Sequence, residues 1–439
     1  MGSYVPTTAA EREQMLAQVG VKSLNDLYAA VPQEMFLHNG LNLPEGLSEL
    51  EVREKVTDLA EKNKVFKTVL RGAGSYRHFI PAVVKSITSR EELVTCYTPY
   101  QAEISQGVLQ GTFEFQTMIC ELTGMDVANA SHYDGATAAA ETIPMCKERK
   151  RSVAYVSETT NPQVIEVMKT YCFASNTELH VVPAKDGKTD AEALKAALGE
   201  NAACFYVQQP NFFGQIEDAA ALGEITHAAG AKFVMGVNPI ACALLPTPRE
   251  VGADVAVGDG QPLGLDTAFG GPYLGFMATT SAMTRKLPGR IVGETKDVDG
   301  KTGYVLTLSA REQHIRREKA SSNICSNQAL CAFTAGVYMS AMGEDGMKQC
   351  ARLCTSKAHY LASELEKIGC KLKYTGEFFH EFVTETACPN CRKKILDALA
   401  EKNILGGAEV DGGILWCVTE LVSKEKLDEV VAIVKEVQG

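Results

Sequence analysis

The chain has 439 residues, of which 45% are hydrophobic, so it can bury a large core and its length fits two or three domains. Its 43 basic and 54 acidic residues give a net charge of -11, which argues against generic binding to nucleic acid or to anionic membranes. No segment approaches the roughly eighteen apolar residues of a membrane span, and the first residues lack the features of a secretory signal. We therefore expect a cytoplasmic protein whose partners are small molecules or proteins.

The first 65 residues carry three helix-start signals in succession, each a polar cap residue three positions before an acid. The pairs are Thr8 with Glu11, Ser23 with Asp26, and Ser48 with Glu51. Loops marked by proline and glycine separate the predicted helices. Residues 1–65 are thus predicted to form a helical N-terminal arm, which either wraps around a partner subunit or folds as a self-contained cap.

A proline-stiffened segment, YTPYQ, lies at residues 97–101, between a glycine-rich stretch that begins at Arg71 and a predicted helix that ends at Gly124. Tyrosines beside a proline present rigid hydroxyls, which suits the wall of a site or an interface between subunits. Ordinary packing of the two rings, those of Tyr97 and Tyr100, is the alternative.

Small residues begin a predicted helix directly after the loop SHYD, in the order Gly135, Ala136 and Thr137. Bare backbone amides at the N-terminus of a helix bind anions, and phosphate is their usual occupant. The sequence therefore predicts an anion site at the start of this helix.

Four predicted strands alternate with predicted helices in the middle of the chain. The strands are residues 153–156, 179–182, 204–207 and 233–237. Almost continuous apolar strands separated by helices are typical of a mostly parallel sheet that is covered by helices on both faces. Ligands of such sheets bind at the carboxyl ends of the strands.

A glycine-rich loop, GDGQPLGLDTAFGGPYLGF, spans residues 258–276 between two further apolar strands and contains six glycines. Glycine at this density lets a phosphate or another subunit approach the backbone closely, although a packed reversal between strands explains it as well. No lysine lies between Lys232 and Lys286, so chemistry that needs an amine nucleophile must find it elsewhere in the chain.

A basic cluster directly precedes Ser321, Ser322 and Asn323. It consists of Arg311, His314, Arg316, Arg317 and Lys319. Such a cluster binds a phosphate or an acidic neighbour, or it is solvated and paired within the chain.

The predicted elements divide the rest of the chain into two domains. Residues 66–325 form a large α/β domain, and residues 326–439 form a smaller C-terminal α/β domain. In the smaller domain the pattern predicts strands near residues 371–375 and 381–384, among others.

Fourteen cysteines without regular spacing indicate reduced, buried thiols rather than a disulfide framework. Cys388 and Cys391 form a CxxC pair at the start of a predicted helix, a spacing found in redox dithiols and in half of a zinc site. Because no second pair has this spacing, we expect neither role, no metal site, and cysteines that are dispensable for activity.

Several long phrases of the sequence are characteristic, namely YTPYQAEISQGVLQGTFEFQTMICELTGMDVANAS, ATAAAE, PNFFGQIED, GDGQPLG, FGGPYLGF and REQHIRREKASSNICSNQAL. Together they resemble the P-proteins of the glycine cleavage system, in particular the first subunit of the two-subunit glycine decarboxylases. The resemblance covers nearly the whole chain. It implies the fold-type I architecture of pyridoxal phosphate enzymes, with a large, mainly parallel seven-stranded sheet domain and a smaller C-terminal α/β domain.

The resemblance also implies that this chain lacks the residues that anchor the cofactor. The lysine of the paired subunit's glycine-rich loop aligns with Gln261 or Pro262, and the acid that holds the pyridine nitrogen falls near Met235. Decarboxylation of an amino acid needs an electron sink that a lysine anchors and a carboxylate keeps protonated. We therefore expect no catalytic residue in this chain alone. The degenerate cofactor pocket is predicted to comprise Gly135, Ala136, Thr137, Asn161, Met235, Gln261 and Pro262.

An α2β2 assembly with a subunit 2 that carries pyridoxal phosphate is a further implication, in which glycine is decarboxylated and its aminomethyl group passes to the lipoyl arm of the H-protein. Because the cofactor of fold-type I dimers lies at the subunit boundary, residues of this chain are expected to reach the partner's site. The candidates are Tyr97, Tyr100, Gln101, Ser321, Ser322 and Asn323. Two other hypotheses are a self-sufficient pyridoxal phosphate enzyme that uses Lys286 or Lys319, and a purely structural or regulatory subunit.

Overall fold

A computed structural model describes residues 6–37, 39–96, 99–386 and 388–438. The chain divides into two compact units, with the boundary between Lys64 and Val65. In the described residues, no helix combines the length and the apolar character that crossing a membrane requires.

The first unit is built from short helices. Its two α-helices are α1 (Ala9–Val19) and α2 (Glu49–Ala60), and two 3-10 helices span Leu24–Tyr28 and Gln33–Met35. Each of the three predicted capping pairs is present, because the cap side chain and the acid bond to each other's backbone amides. None of these helices buries a residue, so the leucines, valines and methionines among the described residues of this unit lie largely exposed.

The second unit contains all the other elements. Its helices are α3 (Ala82–Thr88), α4 (Glu91–Val94), α5 (Gln106–Thr123), α6 (Gly135–Cys146), α7 (Pro162–Ala174), α8 (Ala191–Ala197), α9 (Ala219–Ala228), α10 (Gln313–Arg316), α11 (Ala329–Lys367, broken at Gly343), α12 (Pro389–Glu401) and α13 (Lys424–Gln438). Its strands are β1 (Thr68–Val69), β2 (Val127–Ala128), β3 (Val153–Ser157), β4 (Leu179–Val182), β5 (Ala184–Lys185), β6 (Lys188–Thr189), β7 (Ala202–Gln209), β8 (Lys232–Val237), β9 (Val255–Asp259), β10 (Gly275–Thr279), β11 (Ile291–Lys296), β12 (Thr302–Thr307), β13 (Glu381–Glu385), β14 (Ile404–Leu405), β15 (Ala408–Val410) and β16 (Gly413–Cys417).

A seven-stranded sheet forms the centre of this unit, in the order β2-β10-β9-β8-β7-β3-β4. The strands from β4 to β9 in this order are parallel, whereas β10 is antiparallel to both of its neighbours. Residues of the central strands are buried on both faces, where helices pack against separate apolar clusters, as the continuous apolar runs predict. The expected large, mainly parallel seven-stranded sheet is therefore confirmed.

The C-terminal part has a smaller antiparallel sheet in the order β13-β16-β15, with α12, α13 and the second half of α11 around it. Trp416 lies in its core, and the indole nitrogen donates to the Thr384 hydroxyl over 2.8 Å. The predicted strand near residues 371–375 is wrong, because this segment makes only a single bridge, between Leu372 and Thr384. The segment contains Lys371 and Lys373, and charged side chains at the edge of a sheet are typical of short edge strands.

The turn PNFFGQIED joins the two sheets. The amide of Phe379 donates to the Gly214 carbonyl over 3.1 Å, and the amide of Ile216 donates to the Glu377 carbonyl over 2.8 Å. Gly214 has a φ of 81°, and a Cβ added there would overlap the backbone carbonyl of Glu381. The turn therefore needs glycine both for its backbone conformation and for this close approach.

We expect Gly214→Ala to lower the thermal unfolding midpoint much more than Gly369→Ala. Gly369 has a φ of 96° but nothing within 4 Å of an added Cβ, so its substitution measures the conformational cost alone, about 1–2 kcal/mol. At position 214, overlap of the new Cβ with packed backbone lowers the free energy of unfolding by about a further 1–3 kcal/mol. Equal midpoints for the two variants, measured by calorimetry, would contradict this account of the turn.

Candidate functional site

A cavity of about 340 Å³ lies at the carboxyl ends of the parallel strands. Residues that follow β3, β7, β8 and β9 line one side of it, which is where open parallel sheets bind ligands. The opposite wall is the segment from Gly72 to Tyr76, and His380 and Glu381 come from the smaller sheet. The cavity therefore lies where the two sheets meet.

Glu381 holds the wall of the cavity. One of its carboxylate oxygens accepts from the amide of Ala73 over 2.7 Å, and the other accepts from the hydroxyl of Tyr76 over 2.8 Å. Burial raises the pKa of Glu381 to about 7, although these two hydrogen bonds oppose the shift. Both oxygens are thus engaged within the chain.

Two carboxylates occupy the N-terminus of α6, where the sequence predicts an anion site. Asp134 accepts from the amide of Thr137 over 2.7 Å, and Asp259 accepts from the amide of Gly135 over 3.0 Å. Burial raises the pKa of Asp259 to about 7, against the two backbone hydrogen bonds that lower it. These amides are therefore already satisfied by acids of the chain itself.

Gln261 is a buried amide whose hydrogen bonds join the glycine-rich loop to the cavity wall. Its side-chain oxygen accepts from the amide of Tyr76, and its side-chain nitrogen donates to the carbonyls of Tyr76 and Leu265, each over 2.8 Å. Only 1% of the residue is exposed. Gln261, one of the two residues that the family resemblance aligns with a cofactor-binding lysine, thus fixes the wall in this chain.

The other residues predicted for the degenerate pocket lie in different environments. Gly135, Ala136 and Pro262 line the cavity, as does Asn161, whose side-chain nitrogen donates to the Ala73 carbonyl over 3.1 Å. Met235 is buried in the core cluster on one face of the sheet and does not line the cavity.

Sequence reasoning did not single out Tyr76, Asp134, Asp259 or Glu381 for this cavity. Asp259 ends the buried strand β9 and is the second residue of the glycine-rich loop, and that position is the one local signal that points to it. Glu381 lies in a different domain of the sequence and reaches the cavity only through tertiary contacts.

Tyr100 lies outside the lining of the cavity. Its hydroxyl donates to the side-chain oxygen of Asn327, and the guanidinium of Arg290 lies 4.3 Å from the centre of its ring. Burial raises the pKa of Tyr100 to about 12. Gln101 is exposed, and Tyr97 lies outside the described residues.

Ser321 and Ser322 line a second, much smaller cavity, of about 20 Å³, together with Arg311 and Glu312 among others. The Arg290 side-chain nitrogen lies 3.6 Å from a carboxylate oxygen of Glu312. Because Arg290 also covers the ring of Tyr100, the two predicted segments lie on either side of one ion pair. Asn323 is exposed.

Cys388 and Cys391 form a disulfide at the N-terminus of α12. The expectation of reduced thiols is therefore wrong for this pair, whose spacing within one turn brings the sulfurs together. The other twelve cysteines are free.

Comparison with known proteins identifies relatives over the whole chain. The sequence model of the family described as glycine cleavage system P-protein matches residues 2–434. A protein of Desulfitobacterium hafniense named probable glycine dehydrogenase (decarboxylating) subunit 1 is 48% identical, over 99% of this chain and 100% of the relative. A protein of Moorella thermoacetica with the same name is 49% identical, over 99% of both chains.

Solved structures share the fold. A glycine decarboxylase (P-protein) of the glycine cleavage system, in an inhibitor-bound form, has a TM-score of 0.93 and 41% identity, over 99% of this chain and 100% of that chain. Sphingosine-1-phosphate lyase of Burkholderia pseudomallei has a TM-score of 0.67 over 94% of both chains, and its 13% identity shows the fold alone. The architecture is that of fold-type I pyridoxal phosphate enzymes. On the family match and these full-length relatives, the chain belongs to the glycine cleavage system P-protein family.

Proposed function

We propose that this chain is the non-cofactor-bearing subunit of a glycine dehydrogenase (decarboxylating). It pairs with a subunit 2 that carries pyridoxal phosphate, as an α2β2 assembly. The complex decarboxylates glycine and transfers the aminomethyl group to the lipoyl arm of the H-protein. The names of its full-length relatives support the activity, and the hydrogen bonds of Gln261 are the observation that carries the assignment of the subunit.

The residues around the cavity do not fit pyridoxal phosphate. An amide cannot form an imine, and the amide of Gln261 is already hydrogen-bonded to the backbone of Tyr76 in the cavity wall and of Leu265 in the glycine-rich loop. A phosphate would meet the carboxylates of Asp134 and Asp259 at the N-terminus of α6, where it needs free amides. A negative charge on either carboxylate disfavours a bound anion beside it. The cofactor is therefore assigned to the partner.

The alternative hypothesis of a self-sufficient enzyme requires Lys286 or Lys319 to form an imine with the cofactor, and both lysines are poorly placed for this. The Lys286 ammonium lies 3.1 Å from a carboxylate oxygen of Glu148, and neither Lys286 nor Lys319 lines the large cavity. A self-sufficient enzyme would need its amine next to the site that holds the cofactor.

The face that holds Tyr100 and Ser322 is the proposed contribution of this chain to the partner's site. Tyr100 contacts Arg290, and Ser322 lines the small cavity with Glu312, so both residues lie near this ion pair. The Tyr100 hydroxyl donates to Asn327, and the Ser322 hydroxyl accepts from the amide of Ile324, so a ligand in the partner's site would take the place of these contacts within the chain. Groups that donate hydrogen bonds from a rigid surface bind a phosphate or a carboxylate at small entropic cost.

Activity of the assembled complex tests the proposal directly. Glycine-dependent release of carbon dioxide, with lipoylated H-protein as acceptor, should require this chain and its paired subunit together. Activity of this chain alone would contradict the proposal. Full activity of the paired subunit alone would also contradict it.

Reduction with borohydride should attach no pyridoxyl group to any lysine of this chain. The complex is incubated with pyridoxal phosphate, reduced and digested, and the modified peptides are identified by mass spectrometry. We expect the adduct on the paired subunit, because this chain has no lysine from residue 233 to residue 285. A specific adduct on Lys286 or Lys319 would support the rival enzyme instead.

Tyr100→Phe and Ser322→Ala should each lower the turnover of the complex while leaving its assembly intact. A hydrogen bond to a charged group contributes on the order of 1.5–3 kcal/mol, so we expect a loss of roughly ten- to a hundredfold. Tyr360→Phe is a matched control, because its hydroxyl also donates to a side chain, that of Asp428, at a site away from this face.

Sedimentation velocity verifies assembly of the Tyr100 and Ser322 variants, and steady-state assays give their turnover. If both variants assemble and turn over glycine as fast as the Tyr360→Phe control, the shared-site proposal is wrong for these residues.

Substitution of Cys388 and Cys391 by serine should leave the activity of the complex within about threefold, which is less than about 1 kcal/mol. Neither residue lines the large cavity, and serine preserves the cap on α12 that the Cys388 sulfur now provides to the amide of Cys391. A larger loss of activity in the doubly substituted complex would assign a role to this disulfide.

A further inference from the structure

Four potential metal ligands meet in the interior of the second unit, behind the wall of the large cavity. They are His78, Cys350, Cys354 and Glu420, and one ligand atom from each lies within 4.8 Å of all the others. His78 follows the cavity wall, the two cysteines lie one turn apart on α11, and Glu420 follows β16. Three segments that are distant in sequence therefore converge on one point.

Burial of these four side chains lowers the free energy of unfolding unless each polar or charged group has a partner. His78 is 7% exposed, Cys350 is 4% exposed, Cys354 is fully buried, and the Glu420 side chain is 12% exposed. Two buried cysteines alone are ordinary packing, but a buried imidazole and a buried carboxylate need charged or polar partners. The imidazole and the carboxylate pair with each other, since His78 Nδ1 lies 2.8 Å from Glu420 Oε2, and among the described residues only the Nε2 atom of this imidazole has no hydrogen-bond partner.

The distances in the cluster are close to those around a tetrahedral zinc ion. Bonds of about 2.3 Å to sulfur and about 2.0 Å to nitrogen or oxygen place sulfur and nitrogen about 3.6 Å apart. The Cys350 sulfur lies 3.7 Å from His78 Nδ1, and the Cys354 sulfur lies 3.4 Å from Glu420 Oε2. The distance from His78 Nδ1 to Glu420 Oε2 is 2.8 Å and must lengthen to about 3.3 Å, and the other ligand atoms lie within 4.8 Å of one another.

We propose that His78, Cys350, Cys354 and Glu420 bind one zinc ion in a closed, structural site. Two thiolates select a borderline-soft ion over magnesium or calcium, which prefer oxygen ligands. With two thiolates, one carboxylate and a neutral imidazole, the site has a net charge of about -1 when the divalent ion is bound. The ion replaces the protons of the two thiols and of the imidazole, which leave to solvent.

The site would fix the geometry of the large cavity. His78 lies two residues beyond Tyr76, and the other oxygen of Glu420 accepts from the amide of Phe79 over 2.6 Å. The Lys357 ammonium donates to the Glu420 carbonyl, which joins the same point to α11. A metal at this position therefore connects the cavity wall, α11 and the smaller sheet by coordinate bonds.

Metal analysis of the full-length chain tests the proposal, in a background in which Cys388 and Cys391 are serine so that this pair cannot bind zinc. The chain is loaded with zinc sulfate, dialysed, and analysed by mass spectrometry for metals. We expect about one zinc per chain, and less than about a tenth of this in the Cys350→Ala/Cys354→Ala variant. Circular dichroism verifies that the variant is folded.

Cys146→Ala/Cys204→Ala is the matched control, because these two buried thiols also lie next to each other but have no histidine or carboxylate ligand with them. It should retain the zinc. Glu420→Gln removes one anionic ligand with little change in shape and should weaken zinc binding at least about tenfold, which keeps the test valid if the double alanine variant does not fold.

Cobalt substitution identifies the ligands. Thiolate-to-cobalt charge-transfer absorption, with intense tetrahedral bands in the visible, is expected in the control and absent from the Cys350→Ala/Cys354→Ala variant. Zinc absent from the loaded chain, equal zinc in both double variants, or a disulfide between Cys350 and Cys354 after anaerobic purification would each overturn the proposal.

Discussion

The hydrogen bonds between Gln261 and the backbone of Tyr76 are the constraint on which the site depends. They bind the glycine-rich loop to the segment that closes the cavity, and Glu381 holds the same segment from the smaller sheet. Because a buried amide with satisfied donors and acceptors is costly to disrupt, the wall has one position relative to both sheets. The same hydrogen bonds engage the amide of Gln261, a group that cannot form an imine.

Local pattern predicted the parts of the fold that depend on burial alone. Strands β3, β7, β8 and β9 are largely apolar, and the caps of α1 and α2 are encoded within four residues, so the sequence predicts both. The large sheet, its mainly parallel order and the smaller C-terminal domain follow from those patterns and from the family resemblance.

Local sequence patterns could not predict contacts between residues that are far apart in the sequence. The start of α6 has the sequence of an anion site, but its occupant, Asp259, is 124 residues away, and the pairing of Tyr76 with Glu381 spans 305 residues. Met235 was assigned to the pocket by alignment, yet the alternation of side chains along β8 directs it into the core. The segment near residue 371 failed as a strand because its pairing depends on an edge that only the assembled sheet defines.

The two aspartates that bond to the start of α6 have a consequence for redesign of the cavity. A cofactor site built here would require changes at three separate positions, because Asp134 and Asp259 place carboxylates where a phosphate would bind and Gln261 has an amide where an amine would be needed. Substitution of any one of these three residues leaves the other two in place, and each substitution also removes a hydrogen bond that stabilises the fold. A single substitution is therefore expected to lower the stability of the chain without creating a cofactor-binding site in this cavity.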